Sequence, residues 1–125
     1  MIHLLMVGAG GFVGATSRYL VSGLVHRLLP ATLFPVGTLS VNVAGSFAIG
    51  LLGALAQSRG VLTGDARLFV FIGLLGGFTT FSTFAYETMA LATDAEVLPA
   101  LANVLLHLTI CLGAVWLGGA AARAL

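Results

Sequence analysis

A stretch of nine residues, G-G-F-T-T-F-S-T-F at 76–84, interleaves hydroxyl side chains with phenyl rings inside an otherwise apolar segment. Gly76 and Gly77 have low helix propensity, and the hydroxyls compete for backbone hydrogen bonds, so the pattern predicts a helix break near residues 76–80. Such a break exposes carbonyls that suit a cation at the end of one half-helix. It also exposes N–H groups that suit an anion at the start of the next. The stretch therefore predicts an ion-handling site.

Two of its rings have a geometry that could serve an anion. Phe81 and Phe84 are three residues apart on one helical face, and phenyl edges carry partial positive charge that attracts an anion weakly. An isolated pair of phenylalanines is more often simple packing in a core or against lipid. Thr80, Thr83 and Glu87 form a neighbouring row, with Glu87 expected near the hydrated end of its helix.

Two further segments place polar residues at four-residue intervals, which puts each set on one helical face. Asparagine can donate hydrogen bonds to an anion without carrying a charge, and a histidine could add sensitivity to pH. Both rows would serve as well in hydrogen bonding between helices. The rows are Thr38, Asn42 and Ser46 in one segment, and Asn103, His107 and Cys111 in another.

Arg18 is the basic residue that intrudes into an apolar run. It is either an anchor whose charged head extends to water or a fixed positive charge at the mouth of an anion path. Glu87 is the acidic residue that intrudes in the same way.

The composition indicates which elements must hold these residues. The chain has 125 residues, 59% of them hydrophobic and 7% charged, with a mean hydropathy of +1.13, as in an integral membrane protein. A membrane-spanning helix needs about 20 apolar residues. We therefore predict an all-α transmembrane domain with four spans at about 4–26, 36–58, 66–92 and 98–122, the third broken near its middle. The loops are too short to fold alone, so we expect no enzyme.

Charge and cysteine content exclude other classes of protein. A net charge of +1 argues against nucleic acid as a partner, and a single cysteine excludes an intrachain disulfide. No Lys or Arg precedes the first apolar run, and three more runs follow, so we expect that run to remain as a span rather than act as a cleaved signal peptide.

The basic residues specify orientation only weakly. Four spans put Arg59, Arg67 and Arg123 on one side, against Arg27 on the other, joined by Arg18 if that residue extends the same way. A difference this small fits insertion in both orientations, although an ordinary topology with the N-terminus inside is equally compatible. Four short spans cannot enclose a polar path alone, so we expect an oligomer in the lipid bilayer.

Three segments together resemble the signature stretches of the Fluc fluoride channels, also called CrcB. They are G-G-F-V-G-A-T-S-R-Y at 10–19, G-T-L-S-V-N-V-A-G-S-F at 37–47 and G-L-L-G-G-F-T-T-F-S-T-F at 73–84. The resemblance implies an antiparallel, dual-topology homodimer in the cell membrane, with two fluoride pores and a structural Na⁺ at its centre. Its implied function is passive, selective export of fluoride that relieves fluoride toxicity.

The resemblance also implies roles for individual residues. Phe81 and Phe84 would present ring edges to fluoride, and Asn42 would donate from its amide beside the pore. The other implied pore residues are Thr38 and Thr83 with their hydroxyls, and Arg18 near the entrance. The backbone carbonyls of Gly76 and Thr79 would bind Na⁺ from both subunits. The fourth span departs from the family pattern, because Asn103 and His107 stand where tyrosine and serine are usual; His107 is accordingly a pore residue of uncommon type.

Two other classes of protein remain open from the sequence. A small dual-topology, proton-coupled exporter of toxic cations or drugs has a similar length, and Glu87 would be its only candidate for the coupling acid. A membrane assembly subunit without transport activity would instead depend on a partner for its stability.

Overall fold

The computed structural model describes residues 1–30, 32–62 and 64–125, and it is all-helical in this part of the chain. Four helical segments are long and apolar enough to cross a membrane: Ile2–Leu28, Val36–Arg59, Asp65–Thr93 and Val97–Ala124. The predicted all-α class with four spans is confirmed. The helices begin and end close to the predicted spans, and where the bilayer boundary crosses each of them stays a prediction.

The third span, Asp65–Thr93, consists of several pieces. It begins with α3 (Asp65–Arg67), continues as a π-helix (Leu68–Leu75) and α4 (Gly76–Phe78), and resumes after the break as α5 (Phe81–Thr93). Thr79 and Thr80 between them are extended, with φ/ψ of −83°/158° and −151°/116°. The break thus lies near the middle of the span, within the range predicted from the glycine pair. The π-helix was not predicted; at its C-terminal end the N–H of Gly76 donates to the carbonyl of Phe71.

The remaining helices are α1 (Ile2–Leu28), α2 (Val36–Arg59) and α6 (Val97–Ala124). α2 lies along α6, α1 lies along the first half of the third span, and α5 packs against α6. Small residues permit these contacts, because a side chain at the crossing would hold the backbones apart. A Cβ on Gly10 of α1 would stand 2.9 Å from the Leu74 nitrogen and 3.0 Å from the Gly73 Cα. The broken span is therefore held by direct backbone contact with α1.

One polar pair places the starts of two helices at the same end of the bundle. His3 Nε2 lies 3.2 Å from Asp65 Oδ1, which puts the start of α1 beside the start of the third span. The N-terminus and the loop that contains Arg59 therefore share one end of the bundle, as four spans require.

Most large apolar side chains face outward. In each spanning helix at most 22% of the most hydrophobic window is buried within the subunit. Among the described residues, Val41 and Asn103 are the largest side chains that are fully buried. Apolar surface on this scale must be covered by lipid tails or by another protein surface. The fold therefore suits a membrane and leaves room for a second copy.

Candidate ion site at the helix break

Asn42 of α2 pairs with the broken backbone of the third span. Its Nδ2 donates to the carbonyl of Thr80 at 3.0 Å, and its Oδ1 accepts from the N–H of Thr80 at 2.8 Å. Asn42 is only 8% exposed, and a backbone without hydrogen bonds is costly at membrane depth. The amide therefore replaces the partners that Thr80 would have had in a continuous helix. The second hydrogen on Nδ2 remains for another acceptor, such as an anion.

Two threonine hydroxyls define the ends of the half-helices. Thr79 Oγ1 donates to the carbonyl of Leu75 at 2.9 Å, which closes α4. Thr80 Oγ1 accepts from the N–H of Thr83 at 3.2 Å, as the N-cap of α5. Thr80 Oγ1 also donates to Thr83 Oγ1 at 3.0 Å, so the Thr83 hydroxyl keeps its own proton for an anion.

These side chains free the two carbonyls that the resemblance assigned to Na⁺. In an unbroken helix the Gly76 carbonyl would pair with Thr80 N–H, which instead donates to Asn42. The Thr79 carbonyl would pair with Thr83 N–H, which instead donates to Thr80 Oγ1. Both oxygens are thus released from their helical partners. Hard cations prefer oxygen ligands of this kind, so the residues present fit Na⁺.

One cavity, called here the phenyl cavity, has a volume of about 390 Å³ and lies between α2, the broken span and α6. Four of the predicted pore residues line it: Asn42, Phe81, Phe84 and His107. The Thr79 and Thr80 side of the break also borders this space. The cavity thus brings together an amide donor, two rings and an imidazole.

The two rings differ in exposure. Phe81 and Phe84 have centroids 5.4 Å apart with planes tilted by 55°. Phe84 is 9% exposed and its centroid lies 4.4 Å from that of His107, whereas Phe81 is 77% exposed. Phe84 is therefore fixed by its own subunit, and Phe81 is available to a partner surface.

A second cavity, called here the arginine cavity, has a volume of about 500 Å³ and lies between α1, α2 and α5. Three other predicted pore residues line it: Arg18, Thr38 and Thr83. Thr80 borders both cavities. The predicted pore residues therefore fall into two groups that meet at the break rather than forming one continuous row.

Glu87 is more enclosed than the sequence led us to expect. Thr38 Oγ1 donates to Glu87 Oε1 at 2.7 Å, and the carboxyl is half-buried instead of lying in water at the helix end. The other oxygen, Oε2, is buried and finds no partner within residues 1–30, 32–62 and 64–125. Because Thr38 gives its single proton to Glu87, its hydroxyl can reach an anion only if this bond breaks.

The polar row on α6 divides into two roles. Asn103 is fully buried and its Nδ2 donates to Thr88 Oγ1 at 2.8 Å, so it ties α6 to α5. His107 lines the phenyl cavity, and its Nδ1 lies 3.0 Å from the Asn103 carbonyl. The alternative of helix-to-helix bonding therefore holds for Asn103, while His107 faces the candidate path.

Two residues of the arginine cavity were not singled out from the sequence. Ser22 and His26 line it together with Arg18, and His26 Nδ1 lies 2.9 Å from the Ser22 carbonyl. The signal was present, because the three residues are spaced by four along α1 and so share one face. His26 adds a titratable group to the wall that carries Arg18.

Comparison with known sequences agrees with the motif resemblance. The model of the CrcB-like protein family, described as Camphor Resistance (CrcB), matches residues 5–119. A protein of Geobacter sulfurreducens named fluoride-specific ion channel FluC is 46% identical over 125 residues, the full length of both chains. A FluC protein of Sulfurovum sp. is 49% identical over 115 residues, which cover 92% of this chain and 89% of the relative. One of Ruminiclostridium cellulolyticum is 46% identical over 118 residues, 94% of this chain and 90% of the relative. These matches extend over nearly all of the chain and agree with the motifs and the broken third span. The chain therefore belongs to the CrcB-like family.

Proposed function

We propose that this chain forms a fluoride-selective, passive ion channel. The observation that carries the proposal is identity of 46% along the full length of a relative named as a fluoride-specific ion channel. The site adds physical support, since donors for an anion line two cavities that share Thr80 at the helix break. As a channel, the protein has no catalytic reaction to perform.

The chemistry of the two cavities suits a small, strongly hydrated anion. A selective path must replace water with several donors and must avoid one deep trap that would stop conduction. The donors proposed along this path are the guanidinium of Arg18, the hydroxyl of Thr83 and the second Nδ2 hydrogen of Asn42. The ring edges of Phe81 and Phe84 follow in the phenyl cavity. Because these donors are separate and act in series, an anion could pass from one to the next.

We further propose that the carbonyls of Gly76 and Thr79 bind a structural Na⁺. The support is that both oxygens have lost their helical N–H partners to side chains, on the same short stretch of backbone. A Na⁺ at this place would supply a fixed positive charge close to the anion path. Two copies of the break would provide four such oxygens, which fits a site shared between subunits.

The proposed functional unit is an antiparallel homodimer with two pores. Support comes from the outward exposure of Phe81, at 77%, and from the small area that each span buries within one subunit. The nearly balanced arginines support insertion in both orientations. The proposed location is the cell membrane, where outward flux would relieve fluoride toxicity.

The proton-coupled exporter receives less support. Its only candidate acid, Glu87, has one oxygen held by Thr38 at 2.7 Å. The relatives reported above are named as fluoride channels, and drug export has no counterpart in those names.

Anion efflux from liposomes tests the proposal. Purified protein is reconstituted with internal fluoride and chloride, a K⁺ ionophore relieves the voltage, and two ion-selective electrodes follow the anions separately. The expected result is rapid fluoride release with chloride retained. Absence of fluoride release from folded, oligomeric protein would contradict the proposal, and so would equal release of both anions.

The Na⁺ site is tested by replacing Na⁺ in the purification buffers with a large organic cation. The expected result is loss of the oligomer or of fluoride flux.

A further inference from the structure

We propose that His107 and Cys111 form a binding site for a thiophilic d¹⁰ cation, with Zn²⁺ and Cd²⁺ as the matching ions, inside the phenyl cavity. Both side chains line this cavity and lie four residues apart on α6. Neither the structural Na⁺ nor the fluoride path requires such a site.

His107 has the arrangement of a metal-binding imidazole. It is 7% exposed, and its Nδ1 lies 3.0 Å from the carbonyl of Asn103. A carbonyl can only accept, so Nδ1 carries the hydrogen and the lone pair resides on Nε2. Nε2 is buried and has no hydrogen-bond partner in the described part of the chain. Histidines that bind metals commonly donate their other N–H to a backbone carbonyl, which fixes the ring and its tautomer.

Cys111 supplies the second ligand. Its half-buried thiol lies one turn beyond His107 on the same face of α6, and both residues border the same space. Side chains four residues apart on a helix are neighbours. A thiolate together with an imidazole is a ligand pair that selects zinc-like ions over Na⁺ or Mg²⁺. When the sulfur–metal bond forms, the thiol proton leaves to solvent.

The site offers two strong ligands, so a bound cation should exchange with free cation in solution. Within residues 1–30, 32–62 and 64–125 no group of three His, Cys, Asp or Glu side chains converges on one point. The remaining coordination positions would be filled by water, because Asn42 Oδ1 in the same cavity already accepts from the N–H of Thr80. Such a site differs from a closed structural zinc site, which has four protein ligands and contributes to folding.

The position of the site has a consequence for transport. The ring of His107 lies 4.4 Å from that of Phe84, so a cation on Nε2 would stand in the proposed fluoride path. We therefore expect Cd²⁺ to inhibit fluoride efflux. The inhibition rests on the proposed function, whereas the binding of Cd²⁺ does not.

Titration of the purified protein with Cd²⁺ tests the binding. A Cd–thiolate bond gives an ultraviolet charge-transfer band, which should saturate at one Cd²⁺ per chain in the wild type. Cys111→Ser and Cys111→Ala should abolish the band, and at least one of these small changes should leave a folded protein. His107→Gln and His107→Ser should retain it with affinity weaker by about 10-fold or more. His3→Gln, at an exposed histidine outside the cavity, is the matched control and should bind as the wild type does.

No band in the wild type would overturn the proposal, and so would unchanged Cd²⁺ affinity in both His107 variants. Fluoride efflux is measured in parallel, with and without Cd²⁺, and each variant is compared with its own rate without the metal. Cd²⁺ binding in a protein that conducts no fluoride would support the metal site and refute the channel. Fluoride conduction without Cd²⁺ binding would refute the metal site and support the channel.

Discussion

At the scale of single residues, Asn42 has two tasks that the sequence did not separate. The amide was expected to donate to an anion, but both of its polar atoms also hold the backbone of Thr80. Asparagine suits this position because it combines a donor and an acceptor in the geometry of a peptide group. Its contribution to transport is therefore coupled to its contribution to the shape of the break.

Asn42→Asp tests this coupling. A carboxylate can still accept from Thr80 N–H but cannot donate to the Thr80 carbonyl, and it repels an anion. We expect loss of fluoride flux and a free energy of unfolding lower by about 1–3 kcal/mol, the cost of leaving a buried acceptor unpaired. Liposome efflux and denaturation in detergent measure the two effects. Wild-type stability together with lost flux would show that the backbone bond is dispensable and that Asn42 acts on the ion alone.

Phe81→Ile tests the exposed ring separately from folding. Because Phe81 is 77% exposed in the subunit, its replacement removes little packing there. We therefore expect the free energy of unfolding of the single subunit to change by less than about 0.5 kcal/mol. Fluoride flux should nevertheless fall, since isoleucine has no ring edge to offer an anion. Met89→Ile, at another exposed apolar position of α5, is the control. Equal flux in the wild type and Phe81→Ile would remove this ring from the path.

At the scale of helices, the sequence predicted the break but not its surroundings. Gly76, Gly77 and the hydroxyl run are local signals, and local signals decide where a helix stops. The bond between Thr38 and Glu87 and the contact of Asn42 with Thr80 join residues far apart in the chain. Such pairs depend on how α2 packs against α5, which spacing along one helix cannot reveal. The π-helix at Leu68–Leu75 likewise does not follow from the spacing of residues along its own segment.

Gly10→Ala tests how closely α1 must approach the broken span. The new Cβ would come within 2.9 Å of the Leu74 nitrogen and 3.0 Å of the Gly73 Cα, so one backbone must move. We expect destabilisation of about 1–3 kcal/mol and reduced flux, because the shift is transmitted toward the break. Gly8→Ala on the same helix meets no atom within 4 Å and should be neutral or stabilise the helix by up to about 1 kcal/mol. Thermal denaturation in detergent compares them, and equal midpoints would refute the close-contact argument.

At the scale of the whole molecule, most of the apolar surface of the subunit faces outward. At most 22% of the most hydrophobic window of any span is buried, and the phenyl cavity carries an exposed ring at its edge. The number of spans follows from hydropathy alone. The arrangement of subunits depends instead on contacts between copies, which hydropathy does not predict. Orientation in the membrane therefore has to be tested on the intact protein.

Orientation is governed by a small difference in basic residues, which yields the last prediction. Arg59, Arg67 and Arg123 share one side, against Arg27 with or without Arg18, so both orientations should occur in one membrane. A cysteine added at the C-terminus of Cys111→Ser should be labelled only in part by an impermeant maleimide on intact cells, and fully after permeabilisation. Adding lysines to the Arg59–Arg67 loop should drive all copies into one orientation.

The biased variants then test whether function requires opposed copies. A variant with lysines in the Arg59–Arg67 loop and another with lysines beside Arg27 should each insert one way. If the pore forms between antiparallel subunits, each variant alone should fail to protect cells against fluoride, and co-expression of the two should restore protection. The proposed reason is that, in an antiparallel dimer, the exposed Phe81 of each copy would contact an inverted neighbour. Full protection by either variant alone, with uniform labelling, would contradict the antiparallel dimer and favour a parallel assembly or a single orientation.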